Sequence, residues 1–299
     1  MRSKARLAGC QPAQIARVAS MTGPLPSFDV TVDGAGQGRV LVLIPAYNEQ
    51  GCILTTIAEV RLAAPEAAVL VIDDASTDAT GRLAAAAGAE VLGLSDNRGA
   101  GSAMRAGFRF AADEGFDVAA RVDADGQHDA RDIPVLLTAI RDGADVVIGS
   151  RFCGAAGYRV GIGRRWAIGR LCVEVNRLTG LGLTDTTSGY RAVGRRAIEL
   201  YAEEVDSRFL GDTVEALLAA VGAGFTVAEV PVRMRARQGG RASIGPVRSA
   251  VGFFRTIRSL RRRLPLGAAP PAQIGPAPVA PTIIGAAFET ARSSGHEAV

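Results

Sequence analysis

The sequence predicts an α/β fold, a doubly wound and mostly parallel sheet with helices on both faces. Two continuous apolar runs, Val40–Ile44 and Ala68–Ile72, each end in polar residues. Runs that are apolar without alternation are typical of strands covered by helices on both faces. Residues 50 to 64, between the two runs, carry apolar side chains at helical spacing. Strand, helix and strand in this order form a βαβ unit.

The same alternation continues to residue 150. A helix capped by Ser76 or Asp78 is expected to extend through residue 87. Further strands are predicted at 90–94, 118–122 and 145–148, and further helices at 100–114 and 132–142. Residues 39 to 150 therefore form the nucleotide-binding half of a doubly wound domain.

The pattern is less regular from residue 151 to residue 245, which we assign to the second half of the same domain. Helices are predicted at 164–179 and 211–222, and a short strand at 226–230.

Three terminal segments are expected outside this domain. Residues 1–38 form a flexible leader, and polar residues interrupt any apolar centre of a signal peptide. Residues 246–264 form a basic amphipathic helix suited to an anionic membrane surface, or to packing on the domain or a partner subunit. Residues 265–299 are rich in Pro, Ala and Gly and predict a disordered tail.

The basic charge does not by itself select a partner. The net charge is +4 and the pI is about 9.2. Most of the positive residues are arginines, which suit diphosphates and anionic lipid head groups as well as nucleic acid. We expect no nucleic-acid partner. No stretch reaches the roughly 18 apolar residues of a spanning helix, so a soluble or peripheral protein is predicted.

The cysteines favour a reducing compartment. They are far apart and form no CxxC pair, so they are predicted to be reduced thiols of a cytoplasmic protein. The four are Cys10, Cys52, Cys153 and Cys172.

Polar clusters follow four of the predicted strands, at residues 45–49, 73–78, 96–99 and 123–128. In an open parallel sheet the ligand crevice lies beyond the carboxyl ends of the strands. We therefore expect the four clusters to converge in space.

The pair Asp123 and Asp125 is the candidate metal site. Side chains two residues apart point the same way if the extended geometry of the strand persists. Two adjacent carboxylates repel unless a divalent cation bridges them to a diphosphate. Gln127 offers a neutral oxygen, which suits Mg²⁺ or Mn²⁺, and His128 is expected at the surface or behind the ligands. An Asp-x-Asp alone also fits a polar loop.

A dinucleotide fingerprint is disfavoured in residues 97–107. The third glycine of that pattern falls on Met104. A hydride-transfer enzyme is therefore not expected.

Together the clusters resemble the family 2 glycosyltransferases of GT-A fold. The branch is that of dolichyl-phosphate mannose synthases and bacterial polyprenyl-phosphate sugar transferases. The resemblance covers about residues 40 to 245. It rests on the stretches 44–49, 71–78, 97–107, 123–128 and 149–151.

The resemblance implies a UDP- or GDP-sugar donor and a polyprenyl-phosphate or other acceptor. It places the metal on Asp123, Asp125 and Gln127. The implied donor contacts are Pro45, Tyr47, Glu49, Asp73, Asp74, Asn97, Gly99, Asp123, Arg151, Arg191 and Arg237. Asp78 is better explained as a helix cap, and Asn97 and Gly99 as parts of a turn, unless the structure places them on the ligand.

On the acceptor side, residues 184–191 match the family segment that carries Asp185. The resemblance makes Asp185, with Asp125, a candidate catalytic residue, although Asp185 equally fits a helix cap or a pair with an arginine. Glu215 matches a family glutamate whose role the residues do not reveal. The closing loop that contains Arg237 departs from the family pattern at Arg241.

The implied reaction is a single displacement with inversion at the anomeric carbon of the sugar. A lipid phosphate acceptor is already ionised and needs no base, whereas a hydroxyl acceptor would need Asp185. The rival classes are a glycosyltransferase for a soluble acceptor, a sugar nucleotidyltransferase and a non-catalytic nucleotide-sugar sensor. The expected location is the cytoplasm, with peripheral attachment at the inner face of the plasma membrane.

Overall fold

A computed structural model describes residues 16–17, 38–153, 161–204 and 212–237. The strands are β1 Ala16–Arg17, β2 Val40–Ala46, β3 Ala68–Asp73, β4 Glu90–Gly93, β5 Val118–Arg121, β6 Val146–Ser150, β7 Arg191–Gly194 and β8 Val227–Pro231. The helices are α1 Ile53–Ala63, α2 Thr80–Ala86, α3 Ala100–Asp113, α4 Ile133–Arg141, α5 Ile162–Thr179, α6 Arg195–Glu204 and α7 Asp212–Gly222, and Ala130–Asp132 form a 3-10 turn.

The described strands form one sheet in the order β1-β4-β3-β2-β5-β7-β6-β8. β4, β3, β2 and β5 are parallel to their neighbours within this group, and β6 is parallel to β8. β7 is antiparallel to both β5 and β6. The predicted fold class, a mostly parallel doubly wound sheet, is confirmed.

The apolar strands are buried on both faces, as their composition predicts. On β2, Val42 and Ile44 pack into the core beneath α1 and α4, whereas Leu41 and Leu43 pack into the core beneath α3 and α6. All four are at most 1% exposed. Each face of the sheet therefore has its own hydrophobic core.

The sequence did not predict β7 and α6. β7 has four residues, begins with an arginine and follows a polar stretch, so it carries little strand signal. Its direction matters for the site. Because β7 is antiparallel, Arg191 at its start pairs with Arg121 at the end of β5 and with Ile148 near the end of β6. The residues before β7 therefore lie at the carboxyl edge of the parallel strands.

The terminal segments fall mainly outside the described residues. In the predicted leader, Ala16–Arg17 pair with β4. The predicted amphipathic helix at 246–264 and the tail at 265–299 lie outside the described residues and stay predictions. Among the described helices, none combines the length and apolarity needed to cross a membrane.

Candidate active site

The polar clusters converge at the carboxyl edge of the sheet, as expected. Asp74 follows β3, is 4% exposed, and accepts hydrogen bonds from the backbone N–H groups of Arg98 (3.0 Å) and Gly99 (2.7 Å). Gly99 has a φ of 88°, which favours glycine, and precedes α3. Asp74 thus anchors the turn that contains Asn97 and Gly99. Contacts of these three residues with a donor stay predictions.

The loop after β3 is joined to the loop after β2 by side-chain to backbone hydrogen bonds. Asp73 accepts from the N–H of Ser76 at 2.9 Å, and the Ser76 hydroxyl accepts from the N–H of Asn48 at 3.0 Å. Asp78 accepts from the N–H of Thr80, the first residue of α2, at 2.9 Å. The capping position is occupied by Ala79, which has no side-chain cap hydrogen bond, so neither Ser76 nor Asp78 is the predicted N-cap residue, although Asp78 bonds to the first residue of the helix.

Pro45 and Tyr47, at the carboxyl edge of the sheet, differ in their exposure to solvent. Pro45 lies within β2 and is half-buried, whereas the Tyr47 side chain is 44% exposed. An exposed aromatic ring beside a polar cleft offers a face on which a nucleobase can stack.

Three oxygen-bearing side chains surround the Arg237 guanidinium. Asp125 Oδ2 lies 2.8 Å from Arg237 Nη2, and Gln127 Oε1 accepts from the same nitrogen at 3.5 Å. Glu49 Oε1 lies 3.9 Å from Arg237 Nη1. These three oxygens therefore already accommodate a positive charge, and oxygen atoms are the ligands that Mg²⁺ and Mn²⁺ prefer.

The side chain of Glu49 supports the same interpretation. Its Oε2 is buried and has no hydrogen-bond partner. Burial, followed by the charge of Asp125, raises the pKa of Glu49, whereas Arg237 opposes this rise. An unpaired buried carboxylate oxygen is costly. A ligand that donates a hydrogen bond to Glu49 Oε2, or a cation bound beside this oxygen, would remove that cost.

Asp123 has different partners from Asp125, which corrects one expectation. β5 ends at Arg121, and the chain turns at Gly126, whose φ is 74°. The extended geometry therefore does not persist through the motif. Asp123 Oδ1 accepts from Arg121 Nε at 2.8 Å, and its backbone N–H donates to His128 Nδ1 at 3.0 Å.

Arg121 keeps the Asp123 carboxylate ionised. Loss of solvent alone raises the pKa of Asp123, but the positive charge of Arg121, with smaller contributions from nearby groups, lowers it to about 2. His128 lies behind Asp123, is 3% exposed, and stacks on the ring of Tyr190 with centroids 4.5 Å apart. Burial lowers the pKa of His128, consistent with a neutral ring that accepts the Asp123 N–H.

The donor set fits a metal that is completed by its substrate. In the described ranges, no group of three or more His, Cys, Asp or Glu side chains forms a metal cluster. Mg²⁺ is commonly held by one or two carboxylates together with substrate phosphates. The oxygens of Asp125, Gln127 and Glu49 lie around one position, and diphosphate oxygens would supply further ligands there. Asp123 is held by Arg121, so its part in the metal site stays a prediction.

Asp185 is a buried partner of Arg151. It is fully buried, and its two oxygens accept from Arg151 Nε at 2.6 Å and Arg151 Nη2 at 2.7 Å. Burial raises the pKa of Asp185, but the hydrogen bond and charge of Arg151 outweigh burial and lower it. The alternative that Asp185 pairs with an arginine is confirmed. In this arrangement Asp185 orients Arg151 and is a weak base.

The side chain of Arg191 has a structural role, because it bonds to the backbone of two segments. Its guanidinium donates to the backbone carbonyls of Thr186, Ser188 and Thr213. These bonds join the loop before β7 to the start of α7. A donor contact from Arg191 stays a prediction, and so does a role for Glu215, which is half-buried on α7.

Sequence reasoning missed Glu229, which holds the acceptor-side loop. The Glu229 carboxylate accepts from the backbone N–H of Thr184 (3.0 Å) and of Asp185 (2.8 Å). The signal was present, since Glu229 is the charged residue in the otherwise apolar strand β8. Such a residue in a buried strand usually has a specific partner.

The segment after β8 brings Arg237 over the Asp-x-Asp loop. The N–H of Val232 donates to the carbonyl of Ser150, Met234 forms a backbone bridge with His128, and the N–H of Arg235 donates to the carbonyl of Gln127. We call residues 232–237 the C-terminal strap. Its position places Arg237 beside Asp125.

Asp129 provides a buried anchor for this strap. It is 1% exposed, and its carboxylate lies 2.6 Å from Arg131 Nη2 and 3.0 Å from Arg235 Nη2. The hydrogen bond from Arg131 is the main cause that lowers the pKa of Asp129 from 3.8 to about 2. Asp129 therefore stabilises the fold most when it is ionised.

We expect Asp129→Asn to be less stable than the wild type by about 1–2 kcal/mol at neutral pH. Because the folded pKa is lowered, the Asp129 contribution is complete above about pH 4 and is lost as the pH falls to about 2. Urea unfolding of both proteins across this range measures the difference. A stability difference that does not shrink in acid would contradict the assignment.

Fold and site together define a glycosyltransferase of the GT-A class. A sequence profile described as glycosyl transferase family 2 matches residues 41–201. Because this match covers more than half of the chain, the chain belongs to glycosyl transferase family 2. The predicted family is therefore confirmed.

Relatives and solved structures agree with this assignment. An undecaprenyl-phosphate mannosyltransferase of Micrococcus luteus is 37% identical over 252 residues, which cover 76% of this chain and all of the relative. A polyprenol monophosphomannose synthase of Mycolicibacterium smegmatis is 35% identical, over 67% of this chain and 78% of the relative. Glucosyl-3-phosphoglycerate synthase of Mycobacterium tuberculosis, solved with Mn²⁺, UDP and glucosyl-3-phosphoglycerate, shares the fold. Its TM-score is 0.56 at 20% identity, over 78% of this chain and 82% of that chain.

Proposed function

We propose that this glycosyltransferase moves a sugar from a nucleoside-diphosphate sugar to a polyprenyl phosphate, with inversion and with Mg²⁺ or Mn²⁺. The observation that carries the proposal is the set of oxygens from Glu49, Asp125 and Gln127 around the positive Arg237. The names of the two relatives support the acceptor class. They also make mannose, from a GDP donor, the first sugar to test, with UDP-sugars as the alternative.

In this mechanism Asp123, Asp125 and Gln127 would hold the cation, and the cation would bind the donor diphosphate. A bound Mg²⁺ or Mn²⁺ supplies positive charge that stabilises the leaving nucleoside diphosphate. Arg237, which pairs with Asp125 in the structure, would neutralise part of the charge of the diphosphate.

The acceptor phosphate oxygen bonds to the anomeric carbon as the bond from that carbon to the donor β-phosphate oxygen breaks. No proton is transferred, because a phosphate monoester is ionised near neutral pH. The state of Asp185 supports this acceptor over a hydroxyl. Arg151 occupies both of its oxygens, and the lowered pKa makes Asp185 a poor base.

We also propose that the protein works in the cytoplasm, at the inner face of the plasma membrane, where polyprenyl phosphates present their head groups. An acceptor in solution, nucleotidyl transfer and nucleotide-sugar sensing without turnover remain the rival functions.

One assay separates these functions. GDP-mannose and UDP-sugars are each incubated with a short-chain polyprenyl phosphate and Mn²⁺ or Mg²⁺, and the product is identified by mass. We expect a polyprenyl-phosphate sugar and a nucleoside diphosphate, with none formed in excess chelator. The productive donor should also raise the melting temperature, since a ligand at a hundred times its Kd adds about 2.7 kcal/mol. Donor stabilisation without transfer to any polyprenyl phosphate would contradict the proposal.

A further inference from the structure

Helix α5 packs one face on the acceptor-side loop. The residues buried on α5 are Ile168, Leu171, Cys172, Glu174, Val175 and Thr179. The Cys172 sulfur lies 3.4 Å from the carbonyl oxygen of Thr184, and the Asn176 side chain exchanges two hydrogen bonds with the backbone of Leu183. This loop continues directly into Asp185. The inner face of α5 therefore supports the segment that orients Arg151.

The opposite face of α5 is exposed, apolar at its centre and basic at its edges. Trp166 is 65% exposed and Val173 57% exposed, although both are large apolar residues. With about 100° per residue, they lie within about 20° of each other on the helix. The exposed Arg165 lies on one side of this pair, and the exposed Arg170 and Arg177 lie on the other. We call these five residues the α5 outer face.

The α5 outer face carries a net positive charge. None of its three arginines has a carboxylate within ion-pair distance in the described part of the chain. The one acidic residue of the helix, Glu174, is buried within one turn of Arg170 and Arg177. Arginines that flank a tryptophan and an aliphatic residue suit the boundary of an anionic membrane. Their apolar stems and the indole enter the interface while the guanidinium groups meet the lipid phosphates.

We propose that the α5 outer face docks the protein on an anionic lipid surface. The role of this contact rests on the proposed function, because only a lipid acceptor requires it. Docking through this face would place the loop at 183–185, on the other side of the same helix, about one helix diameter, roughly 10 Å, from the head-group layer. A polyprenyl phosphate would then reach Arg151 without leaving the membrane.

The test uses Trp166, which is the protein's one tryptophan, so its fluorescence reports on this face alone. The full-length protein is mixed with vesicles of phosphatidylglycerol and phosphatidylcholine in equal parts, or of phosphatidylcholine alone. We expect a blue shift and co-sedimentation with the anionic vesicles, both reduced by salt. Arg170→Gln should weaken partitioning roughly fivefold, as expected from about 1 kcal/mol per basic residue, and Val173→Glu should weaken it further.

Leu62→Glu is the matched control. Leu62 is 85% exposed on α1 and lies outside the α5 outer face, so this variant should bind vesicles like the wild type. Because Val173 and Leu62 are both exposed, neither change should shift the melting temperature appreciably.

Three outcomes would overturn docking through α5. One is a wild type whose Trp166 emission does not respond to anionic vesicles. Another is a blue shift that grows with protein concentration in the absence of lipid, which would identify a second copy of the chain as the occupant. The third is binding that is lost on truncation after Pro246 but unchanged in Val173→Glu, which would move the contact to residues 247–299.

Failure of the proposed function would give a different result. Transfer to a short, water-soluble polyprenyl phosphate does not need a membrane, so the wild type and Val173→Glu should be equally active in solution. Vesicle binding without such transfer would contradict the proposed function and leave docking standing. Transfer without vesicle binding would contradict docking and leave the proposed function standing.

Discussion

Replacing Asp125 by asparagine is expected to lower the transfer rate by about a thousandfold or more. Asparagine keeps the shape of the side chain but removes the negative charge that holds the cation against the donor diphosphate. Loss of one preorganised electrostatic group at a site of developing charge commonly costs a factor of 100 to 1,000, roughly, and loss of the cation costs more. Asp125 is 6% exposed, so little solvent is available to replace its charge.

The same change should leave the fold intact. The ion pair with Arg237 is lost, but so is the repulsion between Asp125 and Glu49, whose pKa Asp125 helps to raise. These effects oppose each other, and a partly exposed ion pair contributes at most about 1 kcal/mol. Turnover and thermal melting of Asp125→Asn measure both expectations. Asp142→Asn, which removes an exposed carboxylate at the end of α4, is the control. Full activity of Asp125→Asn would refute the metal assignment.

The largest loss of stability is expected from Arg151→Met. This change leaves the Asp185 carboxylate fully buried without its main partner, and breaking a buried pair from one side costs about 3–5 kcal/mol. The double variant Arg151→Met with Asp185→Leu should recover much of that stability, since it leaves no buried charge. Neither variant should transfer sugar. Urea unfolding of Arg151→Met, of Asp185→Leu and of the double variant gives the coupling energy between the two side chains.

The pH dependence provides an internal check on this pair. In the wild type the pKa of Asp185 is lowered, so its stabilisation is present above the unfolded pKa of about 4 and is lost in acid. In Arg151→Met, burial without the guanidinium raises that pKa. The variant is therefore expected to differ least from the wild type in acid, and a penalty that grows as the pH falls would be inconsistent with a buried ion pair.

Asp185→Asn tests the catalytic role separately from stability. It keeps one oxygen that can accept a hydrogen bond from Arg151, replaces the other oxygen with an amide nitrogen that can only donate, and removes the charge. If Asp185 orients Arg151 toward the acceptor, turnover should fall more than donor affinity does, as calorimetric titration of the donor would measure. Normal turnover of this folded variant would leave Asp185 with a structural role only.

The parallel half of the fold was predictable because its strands are buried on both faces. Val40–Ile44 and Ala68–Ile72 have no polar position, and this pattern has few explanations other than a strand between helices. β7 was missed because its environment comes from β5 and β6, which are distant in sequence. Four residues that begin with Arg191 carry too little local signal to reveal such pairing.

The proximity of the candidate residues was easier to predict than their individual partners. Asp125, Gln127 and Arg237 lie together, although Arg237 lies beyond the end of β8, and their roles in binding and catalysis stay predictions. The partners of Asp123 were not predicted, because they depend on the turn after Arg121. Glu229 was missed for a similar reason. Its role consists of backbone contacts with Thr184 and Asp185, 45 and 44 residues away.

The C-terminal strap also affects the order in which the molecule can be built. Gln127 and Arg237, which meet at the site, are 110 residues apart in the chain. During synthesis Asp125 therefore emerges well before Arg237, the arginine that pairs with it. Contacts between such distant residues form late, because the intervening chain has to be ordered first. A nascent chain that has formed β2 to β5 would thus carry Asp125 without this partner until residue 237 arrives, although Asp123 is already paired with Arg121.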